Sequence, residues 1–297
     1  MEPTPPVPIE RVGVVGAGQM GAGIAQVCAM AGLHVRLFDA RPDVADKALA
    51  AIGGTLDRQI AKGATDLAAK ASAMARLEVA HDLAAMSDRD LVVEAVTEKE
   101  AAKRAVYEAL KPHLSAACLL ASNTSAISIT RLGAASDRPD RFIGMHFMYP
   151  APKMKLLEII RGIATGEPAF AASLALAERL GKTVAVSEDF PAFIVNRVLV
   201  PMINEAVYAL HEGVGSIDAI DSAMRLGANH PMGPLELADF IGLDTCLSIM
   251  QVLHEGLGDG KYRPCPLLVK YVEAGWLGRK AGRGFYDHTR SPPRPTR

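Results

Sequence analysis

A histidine and a glutamate lie close together in the stretch RFIGMHFMYPAPKMKLLEII, residues 141–160. His146 ends one apolar run, and Glu158 lies inside another, where an unpaired carboxylate would be costly to bury. Both runs have the composition of β-strands, so the two side chains can approach each other across neighbouring strands. A carboxylate that orients an imidazole prepares it for general acid–base catalysis. From this pattern alone, the pair is either a catalytic base with its partner or a structural ion pair.

Two further polar sites have the residue types that hold ligands. The segment ASNTSAISIT (residues 121–130) places Asn123 and Ser125 directly after a predicted strand, at the carboxyl edge where such sheets bind ligands. The same residues would also suit a turn followed by a helix cap. Asn196, in FIVNR, is an amide in the apolar start of a predicted helix, where it could instead make a core hydrogen bond to a loop.

A glycine-rich turn near the amino terminus predicts a dinucleotide site. The motif GAGQMG follows a β-branched run, opens a helix, and consists of Gly16, Gly18 and Gly21 with Gln19 and Met20 between them. The first glycine permits the tight turn, the second lets the backbone approach the pyrophosphate, and the third allows close helix–strand packing. Asp39 ends the second strand, where it would accept hydrogen bonds from ribose hydroxyls and repel a 2′-phosphate. The constellation therefore predicts NAD as the cofactor.

A β-sheet is needed to position these residues, and the first half of the chain has the sequence pattern of one. Strand-like runs alternate with helical stretches, which predicts a Rossmann-type α/β fold with a mainly parallel, doubly wound sheet. The predicted strands are residues 11–16, 34–39, 90–96, 117–123, 141–147 and 155–160. After about residue 187 the pattern becomes helical. We therefore predict a dinucleotide-binding domain over residues 9–187, an all-helical second domain over 188–289, and disordered tails over 1–8 and 290–297.

Composition excludes several classes of function. The net charge is −1, so there is no basic excess for general binding of nucleic acid or a membrane surface. The four cysteines are far apart and form no CxxC pair, which indicates neither a metal site nor a disulfide framework. The start of the chain lacks the basic and apolar regions of a signal peptide, and no apolar stretch is long enough to span a membrane. We expect a cytoplasmic protein.

Taken together and in order, the motifs resemble those of the L-3-hydroxyacyl-CoA dehydrogenases, in the branch of the single-function 3-hydroxybutyryl-CoA dehydrogenases. The resemblance covers residues 9–287. The segments that carry it are GAGQMG, LVVEAVTEKEAAK, SNTSAISIT, GMHF, LLEII, FIVNR, NHPMGPLELADFIGLDT and GWLGRKAGRGFYD.

The resemblance implies a role for each polar residue of the site. His146 takes the proton from the 3-hydroxyl group, and Glu158 orients the imidazole and stabilises its charged form. Ser125 and Asn196 bind the reacting oxygen and the thioester region of an acyl-CoA substrate that enters between the two domains. The products are a 3-ketoacyl-CoA and reduced NAD.

The resemblance also implies contacts with the cofactor and with CoA. Glu98 and Lys103 match positions on the nicotinamide side, and Asn123 belongs to the same cofactor site. Thr55 and Lys62 match a serine and a lysine that bind the CoA nucleotide. The helical domain is expected to form a homodimer.

One departure from the family pattern concerns the substrate. Tyr149 replaces the asparagine usual after the histidine, so a phenol beside the base narrows the site or supplies a different hydrogen bond. A related NAD-dependent enzyme of the lambda-crystallin type, acting on a non-CoA hydroxy acid such as L-gulonate, is the nearest alternative, but Phe147 favours the CoA enzyme. An inactive NAD-binding protein is a third reading, but such a protein has no chemical reason to retain all four polar positions.

Overall fold

The computed structural model describes residues 8–297, so seven of the eight residues of the predicted amino-terminal tail lie outside the described residues. The chain divides into two compact units, and the division falls between Phe190 and Pro191. The first unit is built on a β-sheet, and the second is mainly helical.

One sheet runs through the first unit. Within the described residues it has eight strands: β1 (Arg11–Val15), β2 (His34–Phe38), β3 (Leu77–Val79), β4 (Leu91–Glu94), β5 (Leu119–Ser122), β6 (Phe142–Phe147), β7 (Leu156–Arg161) and β8 (Thr183–Glu188). Their order is β3-β2-β1-β4-β5-β6-β7-β8, and every neighbouring pair is parallel except β6 and β7. The predicted mainly parallel, doubly wound sheet is therefore confirmed. The order reverses at β1, so the edge beyond its carboxyl end is the place where such folds bind ligands.

Helices connect the strands of this unit: α1 (Gln19–Met30), α2 (Pro42–Ala61), α3 (Leu67–Met74), α4 (Glu100–Leu110), α5 (Ile129–Ala134) and α6 (Glu167–Arg179). The apolar central strands β4, β5 and β6 are buried throughout, as expected for strands covered on both faces. The sequence did not predict β3 and β8. Strand β3 has three residues and β8 is only partly buried, so neither carries a strong apolar pattern.

The second unit contains α7 (Val195–His211), α8 (Ile217–Gly227), α9 (Pro234–Ile241), α10 (Leu243–Leu257), α11 (Pro266–Glu273) and the short strands β9 (Tyr286–Asp287) and β10 (Arg294–Pro295). The apolar run over residues 234–258 is two helices, because Gly242 adopts a φ of 104° between them. Helix α7 continues through Pro201, where an interruption or kink is expected from sequence. Among residues 8–297, no single helix is long and apolar enough to cross a membrane, although α9 and α10, bent by 97°, pass that test of length and composition together.

Two buried aspartates organise the second unit. Asp221 accepts hydrogen bonds from the first backbone N–H groups of α9 and from the hydroxyl of Tyr286. Asp239 accepts from the backbone N–H groups of Phe285 and Tyr286. Burial raises the pKa of both carboxyl groups above the ordinary value. A Cβ atom at Gly284 would collide with Asp239, so packing explains the second glycine of the GRGFYD segment.

The carboxyl-terminal segment differs from the predicted disordered tail over residues 290–297. Strand β10 pairs antiparallel with β9, with Arg294 opposite Asp287. Beyond it, the hydroxyl of Thr296 lies 2.9 Å from the carbonyl oxygen of Phe285, a buried residue. The polar, proline-rich composition indicates disorder, whereas pairing with a distant part of the chain orders this segment.

Candidate active site

The antiparallel pairing of β6 with β7 places His146 directly opposite Glu158. The His146 Nδ1 atom lies 2.7 Å from Glu158 Oε2, and the two residues are 5% and 0% exposed. The predicted approach of these side chains across neighbouring strands is therefore confirmed. A buried carboxylate must be paired to offset its lost hydration, and the imidazole supplies that partner.

The contact defines which nitrogen of His146 can do chemistry. A carboxylate has no hydrogen to donate, so an ionised Glu158 requires the proton to be on Nδ1. The neutral imidazole then has its lone pair on Nε2, the nitrogen a general base uses. Protonation at Nε2 would place a positive ring beside the negative carboxylate.

Asn123 holds the end of β6. Its Oδ1 atom accepts a hydrogen bond of 2.9 Å from the backbone N–H of Phe147, the residue after His146. Its own backbone N–H donates to the carbonyl of Glu94, so Asn123 connects the ends of three adjacent strands. The polar residue predicted at this edge therefore fixes the strand that carries the histidine.

The connection that follows β6 is held by a lysine that sequence reasoning missed. Lys182, just before β8, donates hydrogen bonds of 2.6 and 2.7 Å to the carbonyl oxygens of Ala151 and Met154. Burial lowers the pKa of its ammonium group. Tyr149 lies at the start of this connection and is 50% exposed. No local sequence signal marks Lys182, because its partners are backbone atoms far away in the chain.

The segment that contains Ser125 is held by two carboxylates. One oxygen of Glu98 accepts hydrogen bonds from the Thr124 hydroxyl and from the backbone N–H groups of Ser125 and Ala126, at 2.6, 2.6 and 3.2 Å. Asp189, also missed from sequence, accepts from the Ser128 hydroxyl and from the first two N–H groups of α5. The backbone that presents Ser125 is therefore fixed on both sides.

Lys103 has surroundings that its sequence does not indicate. The residue is 1% exposed, and its Nζ lies 2.9 Å from Glu94 Oε1 and 3.2 Å from Glu98 Oε2. The segment VTEKEAAK, taken alone, predicts a solvated helix start. In the folded chain the ammonium group of Lys103 is instead buried between two carboxylates. Glu94 was not predicted, although a glutamate within the apolar run LVVEAV is a signal for a buried, paired acid.

The glycine loop fits a dinucleotide. Gly16 has a φ of 103°, and a Cβ atom there would lie 2.6 Å from the carbonyl oxygen of Ala95. A Cβ atom at Gly21 would collide with the carbonyl oxygen of Gly16, so α1 can begin this close to β1 only with glycine. At Gly18 a Cβ atom would meet nothing within 4 Å among the described residues, and no described side chain caps the start of α1. The first N–H groups of α1 are thus available for a pyrophosphate.

Asp39 lies directly after β2, at the same edge of the sheet. Its Oδ2 atom accepts a hydrogen bond of 2.9 Å from the backbone N–H of Ala17, and its Oδ1 atom accepts one of 3.0 Å from the backbone N–H of Arg41. The carboxylate is therefore tied to the glycine loop. Gln19 and Met20 are the first two residues of α1.

The remaining predicted residues lie on other elements. Thr55 lies in the second half of α2, where its hydroxyl donates to the carbonyl of Ala51, and Lys62 is exposed directly after that helix. Asn196 is the second residue of α7 and belongs to the second unit. The structure thus brings together His146 and Glu158, and separately Ser125, Glu98 and Lys103, at the carboxyl edge of the first unit's sheet.

Two family models match almost the whole chain. The NAD-binding domain of 3-hydroxyacyl-CoA dehydrogenase matches residues 11–190, and the carboxyl-terminal domain of 3-hydroxyacyl-CoA dehydrogenase matches residues 193–288.

Individual proteins agree with this match. A protein of Bradyrhizobium diazoefficiens named 3-hydroxybutyryl-CoA dehydrogenase is 62% identical over 289 residues, covering 97% of this chain and 99% of its own length. A probable 3-hydroxybutyryl-CoA dehydrogenase of Bacillus subtilis is 53% identical, covering 94% and 98%. The crystal structure of (S)-3-hydroxybutyryl-CoA dehydrogenase PaaH1 from Ralstonia eutropha superposes with a TM-score of 0.90 at 47% identity, covering 93% and 98%. The chain therefore belongs to the 3-hydroxyacyl-CoA dehydrogenase family, in the 3-hydroxybutyryl-CoA dehydrogenase branch, and is an NAD-dependent oxidoreductase.

Proposed function

We propose that the protein oxidises (S)-3-hydroxyacyl-CoA, with a short acyl chain such as 3-hydroxybutyryl, to the 3-ketoacyl-CoA, and catalyses the reverse reaction. The observation that carries the proposal is the buried contact of 2.7 Å between His146 and Glu158. A hydroxyl oxidation needs a base for the hydroxyl proton, and this pair supplies one with a defined nitrogen.

In the proposed mechanism, Nε2 of His146 accepts the proton of the 3-hydroxyl group. Glu158 keeps the other nitrogen protonated and stabilises the imidazolium as it forms. The glycine loop and Asp39 would hold NAD, which would supply the acceptor for the hydride on C3 of the substrate. In the reverse direction the imidazolium of His146 returns the proton to the oxygen.

Substrate binding is assigned to polar residues outside this pair. Ser125 and Asn196 would hold the reacting oxygen and the thioester region, and Thr55 with Lys62 would hold the CoA nucleotide. The fixed backbone around Ser125 supports this role, because a preorganised donor loses less entropy when it binds.

Cofactor binding is assigned to the glycine loop and the strand ends beside it. The N–H groups at Gly18, Gln19 and Met20 would bind the pyrophosphate, and Asp39 would bind the adenine ribose. On the nicotinamide side we place Glu98, Lys103 and Asn123; Lys103 and Asn123 would act by positioning their neighbours, since both are buried.

The short acyl chain is supported by the names of the relatives and by Tyr149. The phenol of Tyr149, at the start of the connection after β6, is larger than the asparagine usual at this position, and we propose that it limits the length of the acyl chain. Free hydroxy acids, such as L-gulonate, are the competing substrates.

The test is a panel of 3-ketoacyl-CoAs from C4 to C16, assayed with NADH at 340 nm, with L-gulonate and NAD as the competing arm. We expect turnover with acetoacetyl-CoA, and we expect His146→Gln to lose nearly all of it while still binding NADH. His34→Gln, an exposed histidine at the start of β2, is the matched control and should leave turnover unchanged. Activity on L-gulonate without activity on any acyl-CoA would overturn the assignment.

We also propose that the protein is a cytoplasmic homodimer formed through the helical unit. Val198 on α7 and Leu226 on α8 are 69% and 86% exposed, and association would remove such apolar side chains from water. Light scattering should give twice the mass of the 31.5 kDa chain, and a monomer at micromolar concentration would contradict the dimer.

A further inference from the structure

Glu94 ends β4 and is completely buried, yet both of its carboxylate oxygens are occupied. Oε1 accepts hydrogen bonds from the backbone N–H of Val96 at 2.8 Å and from Lys103 at 2.9 Å. Oε2 accepts from the hydroxyls of Tyr107 at 2.9 Å and Ser122 at 2.7 Å. A protonated carboxyl group would carry a hydrogen on one oxygen and would need an acceptor for it. Both oxygens of Glu94 accept hydrogen bonds from four donors in total, which indicates that the carboxyl group is ionised. The proposed mechanism gives this buried charge no task.

The neighbouring charges do not neutralise it. Lys103 is shared between Glu94 and Glu98, so one ammonium faces two carboxylates. Tyr107 adds no charge, because burial and the negative Glu94 both raise the pKa of its phenol. The cluster of Glu94, Lys103 and Glu98, which we name the acidic triad, therefore carries a net charge of −1, with Glu94 and Lys103 buried and Glu98 partly exposed.

The acidic triad lies on the nicotinamide side of the cofactor site. Glycine loops place the pyrophosphate at the end of β1, and Asp39 marks the adenine side next to β2. Nicotinamide must then lie over the ends of β4 and β5, toward His146 on β6, and Glu94 and Ser122 are the last residues of those two strands. This step rests on the proposed function, in which the hydride acceptor faces the histidine.

We propose that the acidic triad selects the oxidation state of the cofactor. Oxidised nicotinamide carries a positive charge and reduced nicotinamide is neutral, so a fixed net negative charge nearby stabilises only the oxidised form. Glu94 is then a positioning and electrostatic residue: it holds Lys103 and Glu98 in place and supplies the uncompensated charge. Solvent screens the charge of Glu94 less than it would screen a surface charge, because Glu94 is 0% exposed.

The experiment measures the dissociation constants of NAD and NADH separately, by NADH fluorescence and by displacement with NAD, on the full-length protein without substrate. Glu94→Gln removes the net negative charge, so the ratio Kd(NAD)/Kd(NADH) should rise about fivefold, or about 1 kcal/mol. Lys103→Met makes the triad more negative and should lower the same ratio. Tyr107→Phe breaks a contact with Glu94 without changing charge, and its ratio should match the wild type. A ratio cancels losses of affinity common to both forms.

Glu98→Gln, at a carboxylate that is 39% exposed, is a second neutralising variant in case Glu94→Gln does not fold, and it should also raise the ratio. If Kd(NAD)/Kd(NADH) is the same in the wild type and in both neutralising variants, the inference is overturned. A rise of this ratio in Lys103→Met would also overturn it. Those results concern only the relative affinity for the two cofactor forms. The proposed function would still hold if the wild type turns over acetoacetyl-CoA. Absence of saturable binding of either cofactor form would overturn both.

Discussion

The substitution Glu158→Gln tests whether the charge of the glutamate, rather than its hydrogen bond, serves catalysis. A glutamine has nearly the same shape and can still accept the hydrogen bond from His146 Nδ1, so the 2.7 Å contact can survive. What it removes is the negative charge that would stabilise the imidazolium. Stability and cofactor binding should change little, whereas the proton transfer should slow.

The burial of the pair sets the size of the effect. A hydrogen bond to a charged group contributes about 1.5–3 kcal/mol to stability, and one between neutral groups contributes about 1 kcal/mol. The difference between the two corresponds to a loss of at least roughly tenfold in kcat. Because Glu158 is 0% exposed and His146 is 5% exposed, solvent screens the attraction weakly. Two unit charges about 4 Å apart attract each other by about 4 kcal/mol at an effective dielectric of 20, which corresponds to a larger loss of roughly 1000-fold. We expect a loss near 100-fold in kcat.

The assay is steady-state reduction of acetoacetyl-CoA at 340 nm, with the Kd for NADH and the thermal unfolding midpoint measured in parallel. Glu78→Gln makes the same chemical change on β3, at a glutamate whose side chain is 65% exposed and which is paired with Arg36. This control should retain wild-type kcat. Glu158→Gln should keep the Kd for NADH within about twofold, since the loss belongs to the chemical step.

Two results would refute the reasoning. A kcat within twofold of the wild type would mean that the pair is a structural contact. A large fall in the unfolding midpoint together with lost NADH binding would mean that Glu158 supports the fold and not the chemistry.

The remaining predictions concern the cofactor, the second unit and the thiols. Asp39→Asn should improve use of NADPH relative to NADH about tenfold by removing repulsion of the 2′-phosphate, whereas Asp43→Asn on the exposed start of α2 should not; initial rates with both cofactors measure this. Gly284→Ala should destabilise the protein by about 3 kcal/mol in denaturant unfolding because its Cβ atom would collide with a buried carboxylate, whereas Gly260→Ala, with nothing within 4 Å among described residues, should be nearly neutral. Burial raises the pKa of Cys28 to about 12, and all four thiols are buried, so Ellman's reagent at pH 8 should titrate none before unfolding and four after it. Because the folded state keeps thiol protons that the unfolded state releases near its ordinary pKa, the free energy of unfolding should fall as pH rises above about 9, and a rise there would contradict the assignment.

Local sequence was sufficient where the structure is local. The turn at Gly16, the helix that begins after Gly18 and the strand that ends before Asp39 each depend on residues a few positions apart, so their pattern predicts them. The alternation of strands and helices, with the handedness of parallel crossovers, then predicts the sheet. The strands β3 and β8 were not predicted, because β3 is too short and β8 is too exposed to have a clear apolar pattern.

The site depended on contacts that sequence spacing does not encode. Glu158 and His146 were placed on neighbouring strands by their apolar frames, but the register that sets them opposite each other exists only in the folded sheet. Lys103, Asp189 and Lys182 bind partners brought close by folding, and nothing local distinguishes them from surface charges.

The sequence by itself therefore indicated the cofactor through its glycine turn and strand ends, and the family through motifs that match in order, because both signals lie in short segments. The polar residues proposed to carry the chemistry were predictions from the same motifs. Tertiary structure alone decided the environment of each charge. Lys103 is buried between Glu94 and Glu98, and the glutamate opposite His146 is completely buried on β7, between β6 and β8. Burial makes the difference, because the strength of an electrostatic interaction depends on how much water is excluded, and only the packed fold excludes it.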